Sequence, residues 1–282
     1  MASISKRWLI NYVLFAAIIV LTWIGYQFPI REDQKLSQKL ITPLKAADIQ
    51  RLRVETADEQ IAIEKQDGRW MIVRPIRWYA NTLAVDRLVT LAEQPLHSKL
   101  ASSQIDLSTI GLRIPRAIVT LDDTAIAFGT TNRIGSRRYL LIPPNVYLVD
   151  DIHYAFVSQG LAGLVDQRLL PPELELASLK LPGLTLERDE NGWRDGRGRA
   201  EAAARLVENW QTLQAARIKP YRPKGTPLQK IVATTADGRN IEFFVLSIQP
   251  ELVIARPDLK LQYHFADSHY YDLLSLDRPA AD

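Results

Sequence analysis

The sequence predicts an α+β fold: one N-terminal transmembrane helix, then two related antiparallel sheet-plus-helix units produced by internal duplication. Three observations predict it. An uncharged run extends from Trp8 to Phe28. Beyond it, short segments alternate apolar and polar residues between turn signals, the pattern of half-buried strands. And Asp151, His153 and Tyr154 recur as Asp267, His269 and Tyr270, each 116 positions on, as 267 − 151, 269 − 153 and 270 − 154 show.

The expected organisation is an anchor with a short cytoplasmic N-terminus over 1–30, a stalk over 31–47, a first unit over 48–172 and a second over 173–282. At ~1.5 Å per residue the uncharged run reaches roughly 30 Å, the thickness of a hydrocarbon core. Trp8, Tyr12, Trp23 and Tyr26 lie toward its ends, where amphipathic rings prefer the headgroup layer. The run is too long for a signal-peptide core, and the bulky "IGYQFPI" that follows offers no small-residue cleavage site. Lys6 and Arg7 favour a cytoplasmic N-terminus, which puts everything after about residue 31 outside the cytoplasm.

In the first unit "IQRLRVET", "QIAIEK" and "RWMIVRP" read as strands, with Asp67-Gly68 as a tight turn. "NTLAVDRLVTLAEQ" reads as a helix with Val85, Leu88, Val89 and Ala92 on one face and Asn81 or Thr82 as its cap. Five more strands and a short helix from Asp151 to about Leu161 complete it. The second unit repeats the order. Trp193 follows Asn191-Gly192 as Trp70 follows Asp67-Gly68, and Ala203, Leu206, Val207 and Trp210 line one face of its helix. A constellation that recurs at equivalent corners of a duplicated fold reads as scaffolding, with Asp as an N-cap, rather than as chemistry.

"IEKQDGRWMIVRPIRWYANTLAVDRLVTLAEQPLHSK", "STIGLRIPRAIVTLDDTAIAFG" and "RRYLLIPPNVYLVDDIHYAFV" together resemble a bacterial family of unknown biochemical function. Asp67, Gly68 and Trp70, with Gly111, Leu112 and Pro115, carry most of the likeness, which spans roughly residues 45 to 280. The second unit departs from it, with Asn-Gly for Asp-Gly and no clear "GL-x-x-P". The resemblance implies an extracytoplasmic domain tethered to a membrane. Many members are encoded as, or fused to, auxiliary parts of gliding-motility-type ABC transporters. It supplies no catalytic residues.

Composition narrows the function. With 47% hydrophobic and 24% charged residues the chain is globular rather than disordered. A net charge of +3 and the lack of a long basic run give no reason to expect nucleic acid. The absence of cysteine excludes thiolate metal sites, cysteine nucleophiles and disulfides. No HExxH, P-loop or nucleophile-elbow pattern occurs, so neither a catalytic residue, a metal nor a cofactor is assigned. Two arginine clusters remain as candidate partner or anion contacts: Arg133, Arg137 and Arg138 between two strands, and Arg194, Arg197 and Arg199 before a helix. The expected partners are the inner membrane, through residues 8–28, and a protein of an envelope complex. The expected role is a non-catalytic accessory or adaptor subunit. A module binding a lipid, glycan or peptide between the units, and a hydrolase using Asp and His residues, stand as alternatives.

Overall fold

Reversal of the chain is decided by its turn residues. In the computed structural model, which describes residues 14–15, 17–20, 23, 39–132, 135–223 and 225–277, Asp67 and Gly68 both take positive φ, 49° and 79°. That backbone matches the twist of the strands it joins, β2 (Gln60–Gln66) and β3 (Arg69–Arg74). β2 lies antiparallel between β3 and β1 (Arg51–Thr56), in the register Leu52↔Ile63 and Ile63↔Ile72. Alternation then places Leu52, Ile61, Ile63 and Ile72 on one face, all at most 1% exposed. Full burial of each side chain contributes roughly 1.5–3 kcal/mol.

The first sheet continues with β4 (Trp78–Tyr79), β5 (Ser98–Ala101), β6 (Ala117–Leu121), β7 (Thr124–Thr131), β8 (Arg137–Ile142) and β9 (Asn145–Asp150), in the order β4-β3-β2-β1-β6-β7-β8-β9-β5. Helix α1 (Thr82–Val89) makes the crossover to β5. The Asn81 side chain caps it, accepting from the Ala84 N–H at 3.2 Å, and Trp70 Nε1 donates to Asp86 at 3.1 Å, tying sheet to helix. Helices α2 (Tyr154–Val157) and α3 (Gly160–Leu164) close the unit.

The second sheet comprises β10 (Leu176–Leu181), β11 (Leu184–Asp189), β12 (Gly192–Asp195), β13 (Arg217–Pro220), β14 (Gln229–Thr235), β15 (Asn240–Ser247), β16 (Glu251–Arg256) and β17 (Leu261–Ala266). Its order, β12-β11-β10-β14-β15-β16-β17-β13, repeats the first sheet strand for strand, without an equivalent of β4. Helix α4 (Ala200–Thr212) stands where α1 stands, and α5 (Tyr270–Leu274) where α2 stands. Ala203, Leu206, Val207 and Trp210 form the buried face of α4, as their spacing requires. Trp210 meets Phe243 edge-on at 5.0 Å and donates to the Leu273 carbonyl at 2.6 Å.

The expected fold class is corrected by this architecture. Two antiparallel sheets of nine and eight strands make up most of the body, and the helices are few and mostly short. The reason is topological: antiparallel neighbours join through tight turns, so each unit needs a helix only at its one long crossover and at its close. The predicted helix from Asp151 to Leu161 is accordingly split into α2 and α3. The transmembrane helix set at the head of that fold is likewise not found: among the described residues no helix is long and apolar enough to cross a membrane. The run Trp8–Phe28 lies largely outside the described residues; those of it that are described, 14–15, 17–20 and 23, are helical and exposed.

One apolar core runs continuously from Ile41 to Leu274 through both units. A satellite core of Ile110, Leu112 and Val146 lies under the 102–116 loop. There a Cβ on Gly129 would collide with the Ile110 carbonyl, so the strand must be bare for the "GLRIP" loop to seat.

Candidate functional site

The segment between the units is held by both. Asp166 N–H donates to the Tyr79 carbonyl (3.1 Å) and Asn81 N–H to Leu164 (2.8 Å), while Ala215 N–H donates to Gln167 (2.9 Å) and Leu170 N–H to Trp210 (3.3 Å). Ala80 bridges Val165 on one side, and Arg168 bridges Gln214 on the other. Beside this connection Arg256, at the end of β16, is 0% exposed. Its Nε and Nη2 donate to Asp258 (3.2 and 2.5 Å) and its Nη1 to the Leu169 carbonyl (3.2 Å). Its Cζ lies 4.0 Å from the centroid of Trp78, from the first unit, and 5.2 Å from Phe243, from the second. The junction of the two units therefore holds a paired, ring-stacked cation. A desolvated cation over an aromatic face is worth about 2 kcal/mol.

Two buried donors at this place, Trp78 Nε1 and the Tyr263 hydroxyl, have no hydrogen-bond partner among the described residues. Burial pushes the Tyr263 hydroxyl up, against the pull of Arg256. Asp166, 6% exposed, takes Arg168 in a two-pronged pair (Nε–Oδ1 2.9 Å, Nη2–Oδ2 2.5 Å), and hydrogen bonding to Asp166 raises the Arg168 pKa. Around that pair a polar cleft of about 260 Å³ is lined by Asn81, Thr82, Leu83, Asp166, Gln167, Arg168 and Gln214.

The first arginine cluster is used internally. Arg138, 5% exposed, grips Asp151 through Nε and Nη2, both at 2.7 Å, gives Nη1 to the Gly129 carbonyl at 2.5 Å, and stacks on Tyr154 with Cζ 3.8 Å from the ring centre. Arg137 faces Asp150 at 3.7 Å, and Asp150 also holds His97 at 2.8 Å. Arg133 lies outside the described residues. Asp151 thus clamps an arginine instead of capping α2, whose N-cap residue is His153. His153 is 3% exposed, with Nε2 3.2 Å from Thr90 Oγ1 and Nδ1 without a partner among the described residues. Burial pushes its pKa down to about 4 despite the opposing charge of Asp151, so the ring is neutral near pH 7. The equivalent His269 contacts Asp272 at 3.1 Å. Register puts Leu252 where Arg138 stands, since Arg138↔Val149 answers to Leu252↔Phe265; the sequence repeat is not a repeat of contacts.

The second arginine cluster surrounds Asp195, which is 4% exposed. Asp195 accepts from the backbone N–H groups of Arg199 (2.8 Å) and Arg197 (3.0 Å) and from Arg199 Nε (2.8 Å). The Arg199 backbone bond leads the causes that hold its carboxyl below the usual range. The N-terminus of α4, a candidate place for a partner or an anion, holds this carboxylate of the chain itself. Arg199 also pairs with Asp277 (2.8 Å) and Arg194 with Asp189 (2.9 Å). The guanidinium of Arg197 makes no ion pair among the described residues.

Residues 70–230 match the family described as "Domain of unknown function (DUF4340)". The chain belongs to this family. The DUF4340 match begins at Trp70 in β3 and ends at the start of β14, so it spans α1, the inter-unit connection and α4. No curated protein and no solved structure matches the chain. The junction residues Trp78, Asp166 and Arg256 were missed from sequence because each is ordinary in its local pattern. The one signal available was "ARPD", where Asp258 follows a proline two places after Arg256 and so turns back toward it.

Proposed function

We propose that this DUF4340 chain is a membrane-held extracytoplasmic accessory or adaptor subunit of an envelope complex, with no chemistry of its own. The observation that carries the reading is the junction. Arg256 stacks between rings of both units, and the connecting segment bonds to both, so the two sheets form a body suited to keeping fixed geometry between partners. A deep apolar groove, which the ligand-binding alternative requires, is replaced there by packed side chains and a small polar cleft. Against the hydrolase alternative stands the burial of His153, hydrogen-bonded to Thr90 rather than to Asp151.

In this reading the apolar run over residues 8–28 attaches the chain to the inner membrane, and the DUF4340 region stands outside the cytoplasm. An ABC transporter is the partner class that the family resemblance favours. Copurification from mild detergent at native expression levels tests the role: a stable, stoichiometric companion is expected, and a chain that migrates alone overturns it. Protease digestion of spheroplasts tests the topology, with cleavage of the folded region expected and its protection decisive against it.

A further inference from the structure

Strand direction gives the first sheet two chemically unlike ends. Thr56 pairs with Ala117, Ala117 with Phe128, Thr131 with Arg138, Arg137 with Asp150 and Leu148 with Ser98. Glu55 pairs with Gln60, and Ala62 with Arg74. One end therefore gathers the β1–β2, β3–β4 and β7–β8 turns, the approach to β6 and the corner after β9. The chain also enters the fold here: the Lys39 carbonyl accepts from the Leu96 N–H, just before β5, and Leu40 bridges Pro95.

That end is basic. Lys39, Arg74, Arg77, Arg113 and Arg116 are exposed there, and none of them makes an ion pair among the described residues. The carboxylates of the same loops are largely committed. Asp151 grips Arg138, Asp150 holds Arg137 and His97, and Glu59 accepts from the Leu161 N–H at 2.7 Å, which leaves Asp58. Three apolar side chains stand out among the cations: Leu40, Ile152 and Ile114, 46, 59 and 86% exposed. A fixed loop holds Ile114 outward. Thr130 N–H donates to the Ile110 carbonyl at 2.8 Å and Arg113 N–H to the Leu107 carbonyl at 3.1 Å, with Leu112 in the satellite core. The opposite end of the sheet carries Asp48, Asp67, Asp122 and Asp123 with Arg51 and Arg69.

We propose that the basic end of the first sheet rests on the surface of an anionic phospholipid bilayer, with Ile114 dipping among the headgroups and the four arginines facing lipid phosphates. The occupant follows from where the chain goes. Residues 29–38 separate Phe28, the end of the uncharged run, from Lys39. Fully extended they span roughly 35 Å, so the run that attaches the chain brings this end to the bilayer first. An anionic surface then attracts the cations within about 10 Å and leaves the far carboxylates in solvent. Apolar contact and basic charge act together in such docking. This inference rests on the membrane-held reading and gives the folded region a fixed posture on the bilayer.

The chain contains no cysteine, so single thiols can be labelled cleanly. The full chain carries a fluorophore at Ile114→Cys or, separately, at Asp123→Cys, whose native side chain is 92% exposed at the far end. Each is reconstituted in vesicles of phosphatidylcholine and phosphatidylglycerol that contain a nitroxide lipid. Quenching at 114 and not at 123 is expected. Replacing phosphatidylglycerol with phosphatidylcholine should abolish it, and combining Arg74→Gln, Arg113→Gln and Arg116→Gln should weaken docking about fivefold for each arginine. Equal quenching at both positions, none at 114, or quenching at 114 indifferent to lipid charge and to the arginines overturns the proposal. Flotation separates the two readings. A chain that floats with its 114 probe unquenched removes the docked end and leaves the membrane-held role, whereas a chain that stays behind at every lipid composition removes both. Protection of the 114 thiol from a soluble maleimide in native membranes, without quenching in vesicles, assigns this end to a protein and also overturns the proposal.

Discussion

The Arg256 guanidinium lies over the indole of Trp78, 4.0 Å from the ring centre, and so joins the last strands of the second unit to the edge of the first. Removing it leaves a cavity, strips Trp78 of its cation and frees the Leu169 carbonyl. Asp258 keeps access to solvent, so the cost of Arg256→Ala comes from the emptied site and should be about 2–5 kcal/mol, the range for truncating a large buried side chain. Arg256→Lys should recover little, because an ammonium lacks the planar fork that meets Asp258 and the ring together. Chemical denaturation followed by tryptophan fluorescence checks both, and two separated transitions in the Ala variant are expected if the units uncouple.

The repeated Asp-x-His-Tyr corners should respond differently to the same substitution. Asp151→Ala strands the buried Arg138 and should cost about 3 kcal/mol. Asp267→Ala, at an exposed position, should change stability by no more than about 0.5 kcal/mol. Equal losses at both corners in parallel melts would count against the contact pattern described for Arg138.

His153 gives stability a pH dependence of known sign. Its pKa is depressed on folding, from 6.5 to about 4, so the unfolded chain takes up the proton first. The folded state is favoured in full above about pH 6.5, and up to about 3 kcal/mol is lost as pH falls toward 4. Asp195, Asp237 and Glu251, whose pKa values are lowered, contribute stability that is present above their unfolded values and lost as pH falls below about 4, a separate window. Unfolding free energies between pH 7 and pH 4.5 should show the slope in the wild type and a much shallower one in His153→Gln.

Asn81 caps α1 where the chain leaves β4, so Asn81→Ala should cost about 1 kcal/mol. Asn81→Asp should retain the cap, and a comparison of the two thermal midpoints checks the assignment.

Much of this was legible in the order of residues. Asp67-Gly68 announces its turn, Val85, Leu88 and Val89 announce the inner face of α1, and Trp70 with Trp193 marks equivalent places in two sheets of the same strand order. Periodicity reports which side of a local element is buried, and that was enough for the duplication. It does not report what lies across the core. Arg138 and Arg256 sit in strands where an arginine reads as a solvent residue, and only their positions in the finished sheets bring Asp151 and Trp78 within reach. The Asp-x-His-Tyr repeat misled about capping for the same reason: the residues recur, but the strand that faces them carries Arg138 in one copy and Leu252 in the other. The share of helix was overestimated because a few apolar residues at helical spacing say little about where a short helix stops.

The connection from Leu164 to Leu170 donates and accepts main-chain bonds on both flanks, and the family match runs across it. Each copy of the repeated module thus completes part of its main-chain bonding through the segment it shares with the other. Excision of one would leave the survivor with ragged peptide groups and a bare indole or a naked guanidinium. Repetition has thus left a boundary whose peptide groups and rings are shared, and cutting there would damage both sides at once.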